Sequence, residues 1–294
     1  IHLRAIAGSD GTSSHDPVEI TGHLRQHWED VFASKPIDQE LLTQYLNEHA
    51  VQFDWPEASS VSDDQLVRLI ARFRNSAPGL DGVIFSAWLT SGKLPLEYLR
   101  RLVERARLPD AMHASLNDSL TIFVLKDVDS ESGRAGIAKA SDLRPLSLKN
   151  TDVKIVASVA NEECATAAES SAHSNQRGFI RGRQGIQNIL ELDTYARLAD
   201  VSARTGHSSV SAPRAACPAT SAPLLISFDF AAAFPSVQHE YLFTVLRHIG
   251  IPSHLLNTIR NCYNDSRTYI RVHGCVQLLC QIMSGIVQGC PLSG

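Results

Sequence analysis

Between Pro17 and Phe32 the apolar residues Ile20, Leu24, Trp28, Val31 and Phe32 recur at helical spacing, so one face of a helix is buried there. A second helix is predicted around Leu41, Leu42, Tyr45 and Leu46. A third starts at Ser62 and Gln65, which have capping-box spacing ahead of Leu66, Leu69, Ile70 and Phe73. Residues 75–82 (NSAPGLDG) form a turn-rich loop, after which Pro95 suits the first turn of a helix that Pro109 closes. The period then changes. Leu120–Leu125 (LTIFVL) is β-branched and aromatic and predicts a strand, and Leu143–Leu148 (LRPLSL) predicts its partner across a polar loop. That hairpin would carry Lys126 on one arm and Arg144 on the other.

Helices are predicted over Val153–Cys164 and Ile186–Leu198. From Ala199 to Pro223 the chain turns to Ala, Ser and Pro without periodicity, which reads as an insertion. Leu224–Phe230 (LLISFDF) predicts a strand ending near Asp229. Helices over Glu240–Ile249 and around Leu255, Leu256 and Ile259 follow, and then strands over Thr268–Val272 and Val276–Met283.

A chain of 294 residues with 44% hydrophobic content can build a substantial core, which excludes wholesale disorder. The net charge of −4 leaves any nucleic-acid contact to local basic clusters. Six cysteines without a CxxC pair, and no leader-like N-terminus, point to a reducing intracellular setting with nucleus or cytoplasm undecided. His273, Cys275 and Cys280 lie close in sequence but match no standard zinc spacing. No apolar run is long enough to span a bilayer, and no membrane partner is expected. The chain starts on Ile1 and stops at Gly294 inside a motif, so it is expected to be cut at both ends.

Three segments could carry chemistry. Asp229, at the end of an apolar strand and followed by small residues, suits a hard-oxygen ligand for Mg²⁺; a capping aspartate is the plainer alternative. The loop at residues 284–294 (SGIVQGCPLSG) allows close approach of backbone and of Gln288 to a nucleotide, or is an ordinary turn. Arg177, Arg181 and Arg183 surround Phe179, a composition suited to phosphate and base contact or to a solvated basic turn.

Their order adds what none supplies alone. APGLDG (77–82), LRPLSL (143–148) with Asn150 and Lys154, QRGF (176–179), FDFAAAFPSV (228–237) and GIVQGCPLS (285–293) resemble the successive blocks of non-LTR (LINE-type) retrotransposon reverse transcriptases. The resemblance implies an α+β, right-hand polymerase fold, seen here as fingers plus partial palm. Residues 1–76 would be a helical N-terminal extension, 77–198 the fingers, 199–222 the insertion and 223–294 the partial palm. It further implies that Asp229, with the Phe230 carbonyl, binds two Mg²⁺ ions. Phe234 would be the gate against a ribose 2′-hydroxyl, Lys126 and Arg144 would hold the triphosphate, and Gln288 and Gly289 would line the nucleotide pocket. Arg177, Arg181 and Arg183 would lie along the template.

The implied partners are an RNA template, a DNA primer and deoxynucleoside triphosphates, together with a further part of the palm and a thumb in the same polypeptide. The family's second pair of carboxylates, in a Tyr/Phe-Ala-Asp-Asp box, does not occur in these residues, so the 294-residue polypeptide is expected to lack polymerase activity. Pro235 stands where the family usually has a carboxylate, away from the metal position. The competing expectation is a non-catalytic remnant that keeps only nucleic-acid binding.

Overall fold

The computed structural model describes residues 5–7, 12–73, 76–90, 92–127, 136–205, 225–230, 232–272 and 274–293. Helix α1 (Pro17–Val31) starts at Asp16, whose carboxylate accepts from the Val18 and Glu19 N–H groups, and it buries Ile20, Leu24 and Trp28. Helix α2 (Gln39–His49) buries only Leu42 and Leu46, leaving Leu41 and Tyr45 exposed. Helix α3 (Asp63–Phe73) has the predicted cap, with the Ser62 hydroxyl accepting from the Gln65 N–H at 3.1 Å. The Gln65 amide does not close the box. It donates instead to Glu162 at 2.8 Å, tying α3 to a distant helix. The short α4 (Ala87–Thr90) and α5 (Leu94–Ala106), with Pro95 in its first turn, complete this layer.

The main sheet has the order β5-β3-β6-β7. Strands β3 (Ser119–Leu125) and β5 (Leu143–Lys149) are the predicted hairpin arms, antiparallel with Val124 opposite Arg144 and Leu125 opposite Leu143. Strand β6 (Arg267–Val272) lies parallel to β3, and β7 (Cys275–Gln281) is antiparallel to β6. The inner face carries Phe123, on which Trp28 of α1 stacks with centroids 5.7 Å apart. It also holds a set of buried hydroxyls that satisfy one another, Thr121 with Ser147 at 3.2 Å and with Thr268 at 2.6 Å. A small second sheet of β1 (Ala5–Ala7), β2 (Ser13–Ser14) and β4 (Ile137–Ala138) was not foreseen, because two or three residues are too few to show a period.

Helix α6 (Thr151–Ser171) runs through the centre and is longer than its prediction. Thr151 through Ala160 are all buried, so apolar and polar positions do not alternate around this half of the helix, and periodicity gives no guide to its extent. Its N-terminus holds the loop at 76–83: Lys154 Nζ donates to the Ala77 carbonyl at 2.9 Å and the Thr151 hydroxyl to that of Val83 at 2.9 Å. Burial, with Asp81 nearby, pushes the Asp152 carboxyl up, and Tyr98 Oη donates to it at 3.2 Å.

Two expectations fail. Helix α7 (Ile186–Thr205) runs past Ala199, so the predicted insertion begins inside a helix; residues 206–224 lie outside the described residues. Residues 225–230, predicted as a strand, lie in none, with Leu225 73%, Phe228 82% and Phe230 78% exposed. A strand needs a lateral partner, and among the described residues this segment pairs with none, while each edge of the main sheet makes only local contacts. The Gln288 carbonyl accepts from Ser147 of β5 at 3.0 Å, and Arg25 donates to the carbonyls of Leu278 and Leu279 on β7. Helices α8 (Ala233–Ser236), α9 (His239–His248) and α10 (Ser253–Tyr263) follow as short connected pieces.

Candidate active site

Asp229 is exposed on the segment before α8, without a strand to orient it. Among the described residues no group of three His, Cys, Asp or Glu side chains could hold a metal ion, and His273 lies outside the described residues. The Asp229 carboxylate and the Phe230 carbonyl are the hard oxygens that the sequence expectation names at this position.

The surroundings of Phe234 are much better defined. Ala232 sits at φ 52°, a left-handed turn that starts α8. The loop after β7 then runs alongside: the Phe234 carbonyl accepts from Ile286 N–H at 2.8 Å and the Val237 carbonyl from Gly285 N–H at 2.7 Å. Gly285 has φ +90°, and a Cβ there would stand 2.7 Å from the Pro235 carbonyl oxygen. Gly289 has φ +99°, and its Cβ would stand 2.9 Å from that of Ser147. The Gln288 loop is therefore threaded between two backbone walls, the Phe234 turn and β5, and only glycine fits at either pinch.

His239 fastens the loop from behind and had drawn no attention in the sequence. Its Nε2 meets the Gly285 carbonyl at 3.0 Å, so that nitrogen carries the proton, and the ring lies 5.0 Å from that of Tyr263. Burial, with Lys149 nearby, pushes its pKa below the usual value although the carbonyl acts the other way. Below it Lys149 is wholly buried, donates to the Cys262 carbonyl and lies 5.5 Å from the centroid of Tyr263. Burial pushes the Cys262 thiol up to about 12, which makes it a packing group rather than a nucleophile.

A cavity of about 560 Å³ opens beside this loop, and Phe179, Phe234, Ile286, Leu292 and Cys164 are among its lining residues. It brings together three of the sequence blocks. A fourth block touches the same loop, since Leu146 of β5 packs at the Gly289 pinch, one turn of the pleat from Arg144. Lys126 follows β3 directly; its N–H donates to the Asp142 carbonyl at 2.9 Å and its Nζ to that of Ser141. Lys126 and Arg144 are thus neighbours, exposed, on the arms foreseen for them.

The arginine loop differs from its expectation in one respect: all three guanidiniums have partners within the chain. Arg177 bonds Glu191 and Asn188, Arg181 lies 3.1 Å from Glu169, and Arg183 donates to the carbonyls of Ala172, His173 and Gln176, closing the end of α6. Phe179, at φ 62° and 77% exposed, is held out by this bracing.

Residues 134–294 match the family described as Reverse transcriptase (RNA-dependent DNA polymerase). The chain belongs to that family. The α+β architecture accords with this polymerase family, whose matched region takes in the hairpin arm β5, the arginine loop, the Phe234 turn and the Gln288 loop. The chain is also similar to the Transposon TX1 uncharacterized 149 kDa protein of Xenopus laevis, 22% identical over 300 residues, which cover 99% of this chain and 21% of that relative. It therefore spans about a fifth of the length of the curated relative it matches. No helix among the described residues is long and apolar enough to cross a membrane.

Proposed function

We propose that these residues are the fingers, from residue 77, and the first part of the palm, from residue 223, of a non-LTR retrotransposon reverse transcriptase, with α7 running from the fingers into the Ala/Ser/Pro stretch. One observation carries the reading: the Gln288 loop is threaded between the Phe234 turn and β5, and three of the sequence blocks, through Phe179, Phe234 and Ile286, line one cavity beside it. The similarity to a transposon protein over nearly the whole chain supports the retroelement origin.

In this reading a deoxynucleoside triphosphate lies with its phosphates toward Lys126 and Arg144 and its sugar against Phe234, whose ring would oppose a 2′-hydroxyl. Gln288 and Gly289 border the base, and an RNA template and DNA primer complete the substrate. Two Mg²⁺ ions would supply activation of the primer hydroxyl and stabilisation of the leaving pyrophosphate. Asp229 and the Phe230 carbonyl would contribute to that centre without completing it. The sole Asp-Asp pair in the sequence, Asp63-Asp64, opens α3 and cannot serve as the family's carboxylate box.

The 294-residue polypeptide is accordingly expected to make no cDNA on a primed RNA template with Mg²⁺. A longer protein that includes the carboxylate box should do so and lose the activity in Asp229→Asn. Synthesis by the 294-residue chain, dependent on Asp229, would refute the incomplete centre. A longer protein that retains the box but is silent on every template would favour the non-catalytic remnant, a reading to which the exposed position of Asp229 outside any strand lends support.

A further inference from the structure

The end of helix α1 is held against the Gln288 loop by more than apolar packing. The last carbonyls of a helix have no partner inside it. Here that of Phe32 accepts from the Met283 and Ser284 N–H groups, both at 3.0 Å, and that of Val31 from the Ser284 hydroxyl at 3.4 Å. Ser284 is wholly buried and stands at the root of the loop. Helix α1 is itself fixed to the main sheet, through Arg25 on the β7 carbonyls and Trp28 on Phe123. The loop root is thus anchored on an N-terminal segment that lies outside the residues matched to the polymerase family.

Gln238 joins this anchor to the Phe234 turn. Its backbone bridges Ser284 in antiparallel fashion. Its Oε1 accepts from the Lys35 N–H, just past the end of α1, at 2.8 Å, and its Nε2 donates to the Ser236 carbonyl of α8 at 3.3 Å. The side chain makes no capping bond to α9, so its amide serves the link alone. Such a link has work to do. Phe234 sits on a helix of four residues, too short to hold itself in place, and it borders the cavity of about 560 Å³ into which its ring could retreat.

We propose that Gln238 is a positioning residue for sugar selection: by tying the Phe234 turn to the end of α1, it fixes the distance from Lys126 and Arg144 on the hairpin arms to the Phe234 ring. The inference rests on the reverse transcriptase reading for the gate, and on the Lys35–Gln238–Ser236 link for its positioning. A ring that tells a hydroxyl from a hydrogen must be held to within about 0.5 Å by its supporting residues. With the phosphates gripped on the sheet and the turn tied to the helix that packs on that sheet, the ring cannot back away when a 2′-hydroxyl arrives. Loosening the tie admits the ribonucleotide and leaves the deoxynucleotide as it was.

The test is the ratio of dissociation constants for ATP and dATP, with Mg²⁺, measured by titration calorimetry on the full chain. Both carry the same base and phosphates, so the ratio reads the sugar alone. Gln238→Ala is expected to reduce the preference for dATP roughly fivefold, the equivalent of one hydrogen bond, by tightening ATP rather than weakening dATP. A merely structural role would weaken both. Gln238→Glu keeps an acceptor for the Lys35 N–H and should retain the preference, and Lys35→Ala, which leaves that N–H in place, should match wild type. The proposal is overturned if Gln238→Ala leaves the ratio unchanged or weakens both nucleotides alike, or if Gln238→Glu loses as much as Gln238→Ala. Phe234→Ala separates this from the reading beneath it. If it abolishes the preference while Gln238→Ala does not, the gate stands and the positioning role alone fails; if the wild-type chain shows no preference or no binding, the polymerase reading of the pocket fails and the proposal with it.

Discussion

Gly285 and Gly289 are single residues on which the position of Gln288 depends. Each has a positive φ and a backbone oxygen within 3 Å of where a side chain would begin, 2.7 Å for Gly285 and 2.9 Å for Gly289. Gly285→Ala is expected to destabilise the chain by about 2 kcal/mol or more through strain and displacement of the Phe234 turn; urea titration of the variant measures it. His239 gives the same loop a pH dependence. Burial holds its pKa below the ordinary 6.5, so on acidification the unfolded chain takes up the proton before the folded chain does. Stability is therefore lost as the pH falls through about 6.5 and levels off below the folded value. His27, also pushed down by burial, with Lys126 adding to the effect, acts in the same direction. Comparing urea midpoints at about pH 7.5 and about pH 5.5 should show a smaller drop in His239→Asn than in wild type. Equal drops would mean that folding leaves the proton affinity of His239 unchanged.

Between elements, specific polar ties supplement the apolar core. Glu163 on α6 accepts from Arg107 Nη2 at the end of α5 at 2.8 Å and meets His254 Nε2 on α10 at 2.9 Å. Arg107 also reaches the Ser59 carbonyl at 2.7 Å, so one carboxylate joins three helices and the preceding loop. Removing it leaves a largely buried guanidinium without its counter-ion. Glu163→Ala is expected to cost about 3 kcal/mol, with a lowered thermal midpoint and little change in the β3–β5 hairpin. The same network adds fixed polar ties to the apolar contacts that pack α5, α6 and α10 together.

For the molecule as a whole, the notable surface lies away from the core. Helix α7 exposes Ile189 (61%), Leu190 (58%) and Tyr195 (61%), and residues 225–230 expose Leu225, Phe228 and Phe230. Apolar exposure of this extent favours association. The isolated chain should self-associate as its concentration rises, and Phe228→Lys combined with Leu225→Lys should reduce this in light scattering. A sharp cooperative melt of a monomeric wild-type chain across the concentration range would contradict the expectation.

Much of this was legible in the residues taken in order. The β-branched and aromatic run LTIFVL, with LRPLSL across a polar loop, predicts a hairpin that carries Lys126 on one arm and Arg144 on the other, and the two strands pair in that way. The succession of blocks identifies the family because the order of motifs belongs to the chain itself. The cavity beside Phe234 was not legible, since it depends on residues from α6, the 176–180 loop and the 286–293 loop meeting in space. Local composition also misled. LLISFDF has the makings of a strand, yet strand formation needs a neighbour, and residues 225–230 pair with none among the described residues. Three arginines in seven residues suggested phosphate, but the fold supplies Glu191, Glu169 and the end of α6 as their partners. Residue type and spacing thus determined most of the helices, the β3–β5 hairpin and the order of blocks that marks the family. Which polar groups remain open to a ligand was decided by the tertiary structure, because a charge is available only when no neighbour brought by the fold has already neutralised it.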